Sequence, residues 1–573
     1  MIDTGATHSW ARLGNAVEFP SLPLLVLLIG VVSVLPVGRL VYEAVAPASG
    51  TLGQALRDTI GDPSTWTAAR HSLFIGLAGT LLASLLGIGL AGAVALFDIG
   101  ARNKLVFCIT LPLIIPPQVT ALAWIQVFGP ASPMLKMLGI APRLGSSNPL
   151  YSAGGIVLLL GIQYAPLVFL TLRAGLRNLP RDLTEAALAC SARRGTVIRT
   201  IIVPLMTPPF LAGAALAFVS CIGNFGIPAF LGIPANYLVL PTLIYRKLSG
   251  VGPSMLGDIS VLAVGIGALS LAGIIVQDVM LRRRDYRVSM VSGPMRPFRL
   301  GGWRRAVNIS VGGYVAAVLA LPIIGLILTS LVPAYGVALT MHNMTFANFH
   351  YVLTEYPAAR RAFLNSVLLA GGSGILLVLF AVPFAYFLVW RPSPVVRALS
   401  VAIELPYAIP GVVLAVACIL LFLKPLPMVG IGIYNTIWII LFAYLARFLV
   451  LCLRPVASAF RQLDRALDEA GQASGAGLLE RLRTIVFPLV APAACAGALL
   501  VFLTAFNELT VSALLWSSGS ETLGVAVFSL QQGGDSTYAS ALSVVTLAIA
   551  VLLMLATLLF ARRLPTGSLP WRD

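Results

Sequence analysis

Apolar residues run along this chain in long blocks, broken by short polar or basic segments. A bilayer core takes about 20 mostly apolar residues per helix, and the chain offers twelve such runs. In the first half they lie near 22–44, 72–97, 105–128, 153–176, 203–222 and 259–281. In the second half they lie near 308–332, 363–390, 398–423, 434–457, 487–507 and 538–561. The expected fold class is all-α, a polytopic membrane protein of about 12 transmembrane helices. The six-and-six split predicts three regions: a first half at 1–281, a basic linker at 282–307 and a second half at 308–573.

Two amphipathic, Arg-rich islands interrupt the apolar pattern, at 181–204 and 465–488. One carries Glu185, Ala186, Ala187, Ser191, Ile201 and Pro204; the other carries Glu469, Ala470, Gly471, Gly475, Ile485 and Pro488. The two keep a constant separation of 284 positions from the glutamate to the proline. Leu111-Pro112 with Pro116 recurs as Leu405-Pro406 with Pro410, and His71-Ser72 is echoed by Asn365-Ser366, both 294 positions on. The chain is therefore an internal duplication in which one intervening loop differs in length. With six helices each, both halves start from the same side of the membrane and form a parallel repeat, with a pathway between them.

Within each island the residues suit a short helix that meets a partner. A helix starting after Pro180 places Glu185 in its first turns, where the amide end of the helix dipole favours a negative charge. The alanines remove bulk and let another surface approach. Ser191 or Gly475 permits a bend, and Pro204 or Pro488 marks the start of the next span.

Composition narrows the class further. With 58% hydrophobic and 10% charged residues the chain lies outside the range of soluble domains. The net charge of +17 would suit nucleic acid only if the basic residues clustered on a water-facing domain. Instead they punctuate the apolar runs, as topology signals do, so no nucleic-acid partner is expected. A cytoplasmic N-terminus gathers Arg12, Arg102, Lys104, both islands, the Arg282–Arg305 linker, Arg391, Arg397 and the C-terminal arginines on the inner side. Both termini and both islands are then cytoplasmic. The polybasic linker is either a topology signal alone or also a contact to anionic lipid, at roughly 1 kcal/mol per basic residue. The polar Met1–Pro20 segment followed by a full-length apolar run predicts a first anchor, not a cleaved signal. Six cysteines stand singly, without a CxxC, and read as small packing residues, so neither a disulfide framework nor a metal site is expected.

The islands carry a family resemblance. Glu-Ala-Ala, a small residue six positions on, Ile sixteen on and Pro nineteen on resembles the EAA loop of permease subunits in ATP-binding cassette importers of the type I fold. Nearly the whole chain looks like two such permeases fused. The resemblance implies that each island holds a coupling helix seated in a groove of a cytoplasmic ATPase, anchored by Glu185 and Glu469. Two islands imply two ATPase copies, and a periplasmic or tethered solute-binding protein on the other side. No GxxxxGK[ST] loop occurs in the chain, so ATP and Mg belong to the partner subunits and no cofactor or catalytic residue is expected here. The resemblance also implies a bacterial inner membrane. Ser191 stands where the pattern has glycine, leaving Gly195 as an alternative bend, and Gly471 replaces the third alanine.

Ionisable residues inside apolar runs are candidates for the translocation path. Glu404 lies seven residues after Arg397, and Arg447 seven before Arg454. Each is then about 10 Å above its cytoplasmic helix end. They are expected to pair, either as an inner gate or as a static buried ion pair. Asn224 and Glu508 each follow their island's proline by 20 residues, which predicts equivalent places near the outer face, at a vestibule or as solvated helix ends.

For cargo, the run Phe506-Asn507-Glu508-Leu509-Thr510-Val511-Ser512 through Trp516 resembles fused permeases of ferric-iron importers, a branch that also carries polyamines, thiamine and aminoethylphosphonate. The rival classes are an ion-coupled secondary transporter, which would need coupling carboxylates at mid-membrane, and a membrane-embedded enzyme. The latter finds little in four histidines and no paired acidic motif.

Overall fold

The computed structural model describes residues 21–47, 52–143, 145–250, 255–282, 297–425, 430 and 432–561. Most of the expected linker, the polar N-terminal segment and the C-terminal arginines lie outside the described residues. The first half comprises α1 (Pro23–Val45), α2 (Pro63–Leu96), a bent α3 (Arg102–Leu113 with Pro117–Met137), α4 (Ala153–Arg177) and the short α5 (Arg181–Ala189). It continues with a bent α6 (Arg194–Leu205 with Thr207–Gly223), the short α7 (Leu240–Leu248) and α8 (Leu256–Leu281). The second half repeats the order: α9 (Gly301–Ser330), α10 (Pro357–Trp390), a bent α11 (Pro394–Ala408 with Gly411–Phe422) and α12 (Ile437–Gln462). It ends with the short α13 (Ala466–Ala473), α14 (Leu478–Phe506), the short α15 (Leu523–Gln532) and α16 (Ser536–Leu555). The fold is all-α, and the described residues contain 9 helices long and apolar enough to cross a membrane, or up to 12 if each bent pair is one span. Among the described residues the only strand-like contact is a single bridge, Phe97 to Phe298.

Proline explains the bends. It lacks an N–H and its ring crowds the carbonyl four residues back. Pro112, Pro116 and Pro117 break α3 by 97°, Pro406 and Pro410 break α11 by 108°, and Pro208 and Pro209 follow the 59° break in α6. The two islands relieve the same strain in the same way. A π-helical turn, Ile198–Ile202 in one and Leu482–Val486 in the other, stands just before Pro204 and Pro488.

The duplication extends to single contacts. Ser72 accepts a hydrogen bond from the Leu240 N–H at 2.8 Å and Ser366 accepts one from Leu523 at 2.9 Å. Each serine thereby caps the short helix of its own half. Gly213 and Gly497 let their helices approach α4 and α12 closely: a Cβ at either would stand 3.0 Å from the Cα of Val168 or of Cys452. Small residues at crossings are the usual means of packing helices in lipid.

The halves interlock. α1 packs on the Gly411–Phe422 arm of α11, and α9 packs on the Pro117–Met137 arm of α3. The bent spans thus lie where the halves meet. There Gln118 donates to the Asn507 carbonyl at 2.9 Å. Phe528 of α15 inserts among Phe225, Phe230 and Tyr245 of the first half, with ring centroids 5.8, 5.5 and 5.7 Å away.

Candidate functional site

Each island folds into a short helix, a left-handed residue and a second helix that runs on through the proline. In α5, Thr184 is buried and Ala187 half-buried, while Glu185 and Ala186 are exposed. In α13, Asp468 and Gly471 face inward in the same way, while Glu469 and Ala470 are exposed. Both outward faces also expose a leucine, Leu183 or Leu467. Each glutamate is steadied by an arginine one turn earlier: Arg181 pairs with Glu185, and Arg465 with Glu469 at 3.0 Å.

The bend falls at Ser191 itself, with φ +61°, and at Gly475, with φ +82°. Gly195 is not the hinge; it lies within the helical turn Arg194–Val197. A left-handed non-glycine residue costs about 1–2 kcal/mol. Ser191→Gly is therefore expected to stabilise the first loop by up to about 1 kcal/mol, read as slower amide exchange at Cys190–Ala192. Gly471 has a different reason: a Cβ there would stand 2.7 Å from Ile485 Cδ1 and 3.1 Å from Arg481 Cδ. The glycine makes room for Arg481, where the first island has the smaller Val197.

The mid-membrane residues sit differently from the sequence expectation. Glu404 does not meet Arg447. It pairs with Arg454 at 3.3 Å, both side chains being more than half exposed. Equal counts from the helix ends do not bring the two together, because Glu404 lies on the Pro394–Ala408 arm while Arg447 sits beyond the 108° turn, against the start of the Gly411–Phe422 arm. Arg447 instead lies over that turn, so close that a Cβ on Gly411 would be 1.7 Å from its Nη1. Its carboxylate neighbour is Glu508, at 3.9 Å.

Asn224 and Glu508 are not solvated ends at the outer face. Both are buried, and each caps the helical turn that follows it. Asn224 Oδ1 accepts from the Ile227 N–H at 2.9 Å, and Glu508 accepts from Val511 at 2.9 Å and Ser512 at 3.1 Å. Asn224 also donates to the Tyr164 hydroxyl at 2.7 Å. Tyr164 stands ~16 Å from one end of α4 and ~20 Å from the other, so Asn224 meets that helix near its middle.

The 284-position offset, applied to Arg447, lands on Gln163, a residue the sequence reading passed over. Gln163 donates to the carbonyls of Pro112 and Ile115 at 2.6 and 3.2 Å, filling the α3 turn as Arg447 covers the α11 turn. The two halves thus carry one device in two versions: Gln163 with Asn224, neutral, and Arg447 with Glu508, charged. An arginine in an apolar span, even one with its side chain 21% exposed, needs a counter-charge, which accounts for a carboxylate at 508 where the first half needs only an amide.

Outside the spans, electrostatics pins the ends of helices. Hydrogen bonding to Lys247 at 2.8 Å is the main cause that holds the Asp62 carboxyl at about 2, working against partial burial and aided by Ser64. Partial burial raises Glu521, but Arg361 and backbone donors at Gly519 and Glu521 more than offset it, leaving its carboxyl below the usual range. Glu521 and the Asn365 amide, which donates to Gly519 and Glu521 carbonyls at 3.0 and 2.9 Å, together fasten the 519–521 turn to α10.

Two separate stretches, residues 83–290 and 374–566, match the family described as binding-protein-dependent transport system inner membrane component. The chain belongs to that family. Each matched stretch contains one island with its exposed glutamate, so the permease is a fused, two-domain transport subunit of an ATP-binding cassette importer and not an enzyme. The permease is 27% identical over 514 residues to a probable ABC transporter permease of Sinorhizobium fredii, covering 87% of this chain and 88% of the relative. It is 27% identical over 500 residues to a ferric transport system permease of Actinobacillus pleuropneumoniae, covering 85% and 69%. A probable molybdenum ABC transporter permease of Haloferax volcanii is 28% identical over 239 residues, covering 41% of this chain and 82% of that one. As an importer permease it works with ATPase and solute-binding partners.

Proposed function

We propose that the permease moves ferric iron across the bacterial inner membrane, with both termini in the cytoplasm. The iron is delivered by a periplasmic or tethered solute-binding protein, and transport is driven by two copies of a cytoplasmic ATPase. The observation that carries this reading is the pair of exposed Glu-Ala faces on α5 and α13, set at one spacing in two equivalent loops. An exposed leucine beside a glutamate and an alanine suits a helix seated in a partner's groove, with the carboxylate at the rim. Two such faces call for two ATPases, each using ATP and Mg of its own.

The mechanism follows as alternating access. ATP favours the closed ATPase pair, and a ligand shifts an equilibrium by its preference between states. Closure brings α5 and α13 toward each other and rocks the interlocked halves about the bent arms of α3 and α11. The paired elements, Gln163 with Asn224 and Arg447 with Glu508, stand at those bends. They serve as hinge supports, while Glu404 with Arg454 lies at the rim.

The iron assignment is supported by the ferric transport relative spanning most of the chain, and by the Phe506–Trp516 loop. Glu508 has its oxygens engaged by backbone N–H groups. Selection of a hard cation, which favours several oxygen ligands, then rests with the binding protein. Vesicles holding the complete transporter are expected to take up radiolabelled ferric iron on addition of ATP and the iron-loaded binding protein. Uptake of a polyamine, thiamine, aminoethylphosphonate or molybdate instead, with its own binding protein, would overturn the cargo and leave the ATPase coupling intact.

A further inference from the structure

The two coupling loops share an outward face but not an inner attachment. In the second, Asp468 and Arg481 are completely buried and paired at 2.8 Å. The other Asp468 oxygen accepts from the Tyr386 hydroxyl at 2.8 Å, and Arg481 also reaches that hydroxyl at 3.4 Å. A further nitrogen of Arg481 donates to the Ala476 carbonyl at 2.8 Å, just past the left-handed Gly475. One arginine thus joins the coupling helix, the bend and the last turn of α10. Charge-assisted bonds of this kind, shielded from water, hold geometry tightly.

The first loop carries different residues at these three places. The 284-position offset places Thr184 and Val197 where the second loop has Asp468 and Arg481, and the 294-position offset places Gly92 opposite Tyr386. It has a fastening to the linker end of its own. Arg194 donates to the Arg299 carbonyl at 2.6 Å and lies over the Phe298 ring. Phe298 bridges Phe97, and the Leu300 N–H donates to Asp98 at 2.7 Å. Residues 297–300 lead directly into α9, the span that packs on the other half's α3.

We propose that Tyr386, Asp468 and Arg481 are positioning residues that weld the second coupling loop to α10, while the first loop is fastened to the segment leading into α9. The two ATPase inputs therefore enter the bundle through different spans. Load on the second loop passes along α10; load on the first passes through the connection between halves. This rests on the reading of both loops as ATPase docks.

The test uses the full chain, assembled with its ATPase and reconstituted with its loaded binding protein. Asp468→Thr with Arg481→Val gives the second loop the first loop's residues at these two positions, and Tyr386→Phe removes a single hydroxyl. Both variants are expected to keep ATPase association. ATP hydrolysed per cargo molecule imported should rise, by roughly 3- to 30-fold in the double variant and less in Tyr386→Phe. Parental coupling ratios in both would overturn the weld. So would loss of ATPase association in Tyr386→Phe, because the hydroxyl would then only shape the docking surface. A parental chain that fails to bind the ATPase at all would remove the docking reading itself, and the weld with it.

Discussion

Replacing Glu508 by asparagine is expected to destabilise the permease by about 2–3 kcal/mol, the scale of an uncompensated arginine within a membrane span. The helix cap is not the reason. Asparagine makes the same cap at Asn224, to the Ile227 N–H. What Glu508→Asn removes is the counter-charge 3.9 Å from Arg447, whose guanidinium lies against Gly411. Arg447→Gln should cost less, because the Glu508 carboxylate keeps its bonds to the Val511 and Ser512 N–H groups. The double variant gives the second half the glutamine and asparagine that the first half carries at the equivalent positions 163 and 224. It is expected to recover to within ~1 kcal/mol of the parent. Thermal unfolding of the four purified proteins in one detergent gives the cycle, and strictly additive losses would show that the pair does not act as a unit.

Reversing Glu185 and Glu469 together is expected to abolish ATPase association. Each arginine introduced would stand one turn from Arg181 or Arg465, so each docking face would change from a compensated pair to two like charges. Like charges at a contact cost several kcal/mol, roughly a hundredfold or more in affinity per site. Single reversals should leave one dock and a fraction of the associated ATPase. The side chains are exposed, so the permease itself should remain folded and extractable, which separates lost docking from lost structure. Undiminished copurification with both reversed would remove these glutamates from the interface.

The spans and the duplication were legible in the sequence because each rests on one strong signal. Apolar length identifies a helix that crosses lipid, and a constant 284-position offset identifies a repeat. Bends were not read, although their prolines were visible, because a proline permits a kink without fixing its angle. One such bend separates Glu404 from Arg447, which lies beyond the turn of α11; for Asn224 and Glu508 the unread feature is burial, because each side chain folds back to cap the helical turn that follows it. The Ser191 hinge illustrates a second limit. A left-handed serine is disfavoured in isolation, and only the shape shared with Gly475 reveals that the loop imposes it. Asp468 and Arg481 show a third. Lying thirteen residues apart in a polar island, they look like surface charges, and their burial depends on Tyr386, 82 positions away from Asp468.

The central claim is that force made outside the bilayer reaches these helices through two cytoplasmic loops. It is tested most directly by cargo uptake into sealed vesicles containing the permease, its ATPase and its loaded binding protein, with every ion gradient collapsed. Accumulation that starts with ATP, stops with vanadate and disappears when Glu185 and Glu469 are both reversed is the predicted result. Accumulation driven by an ion gradient through the permease alone, with no nucleotide present, would contradict it.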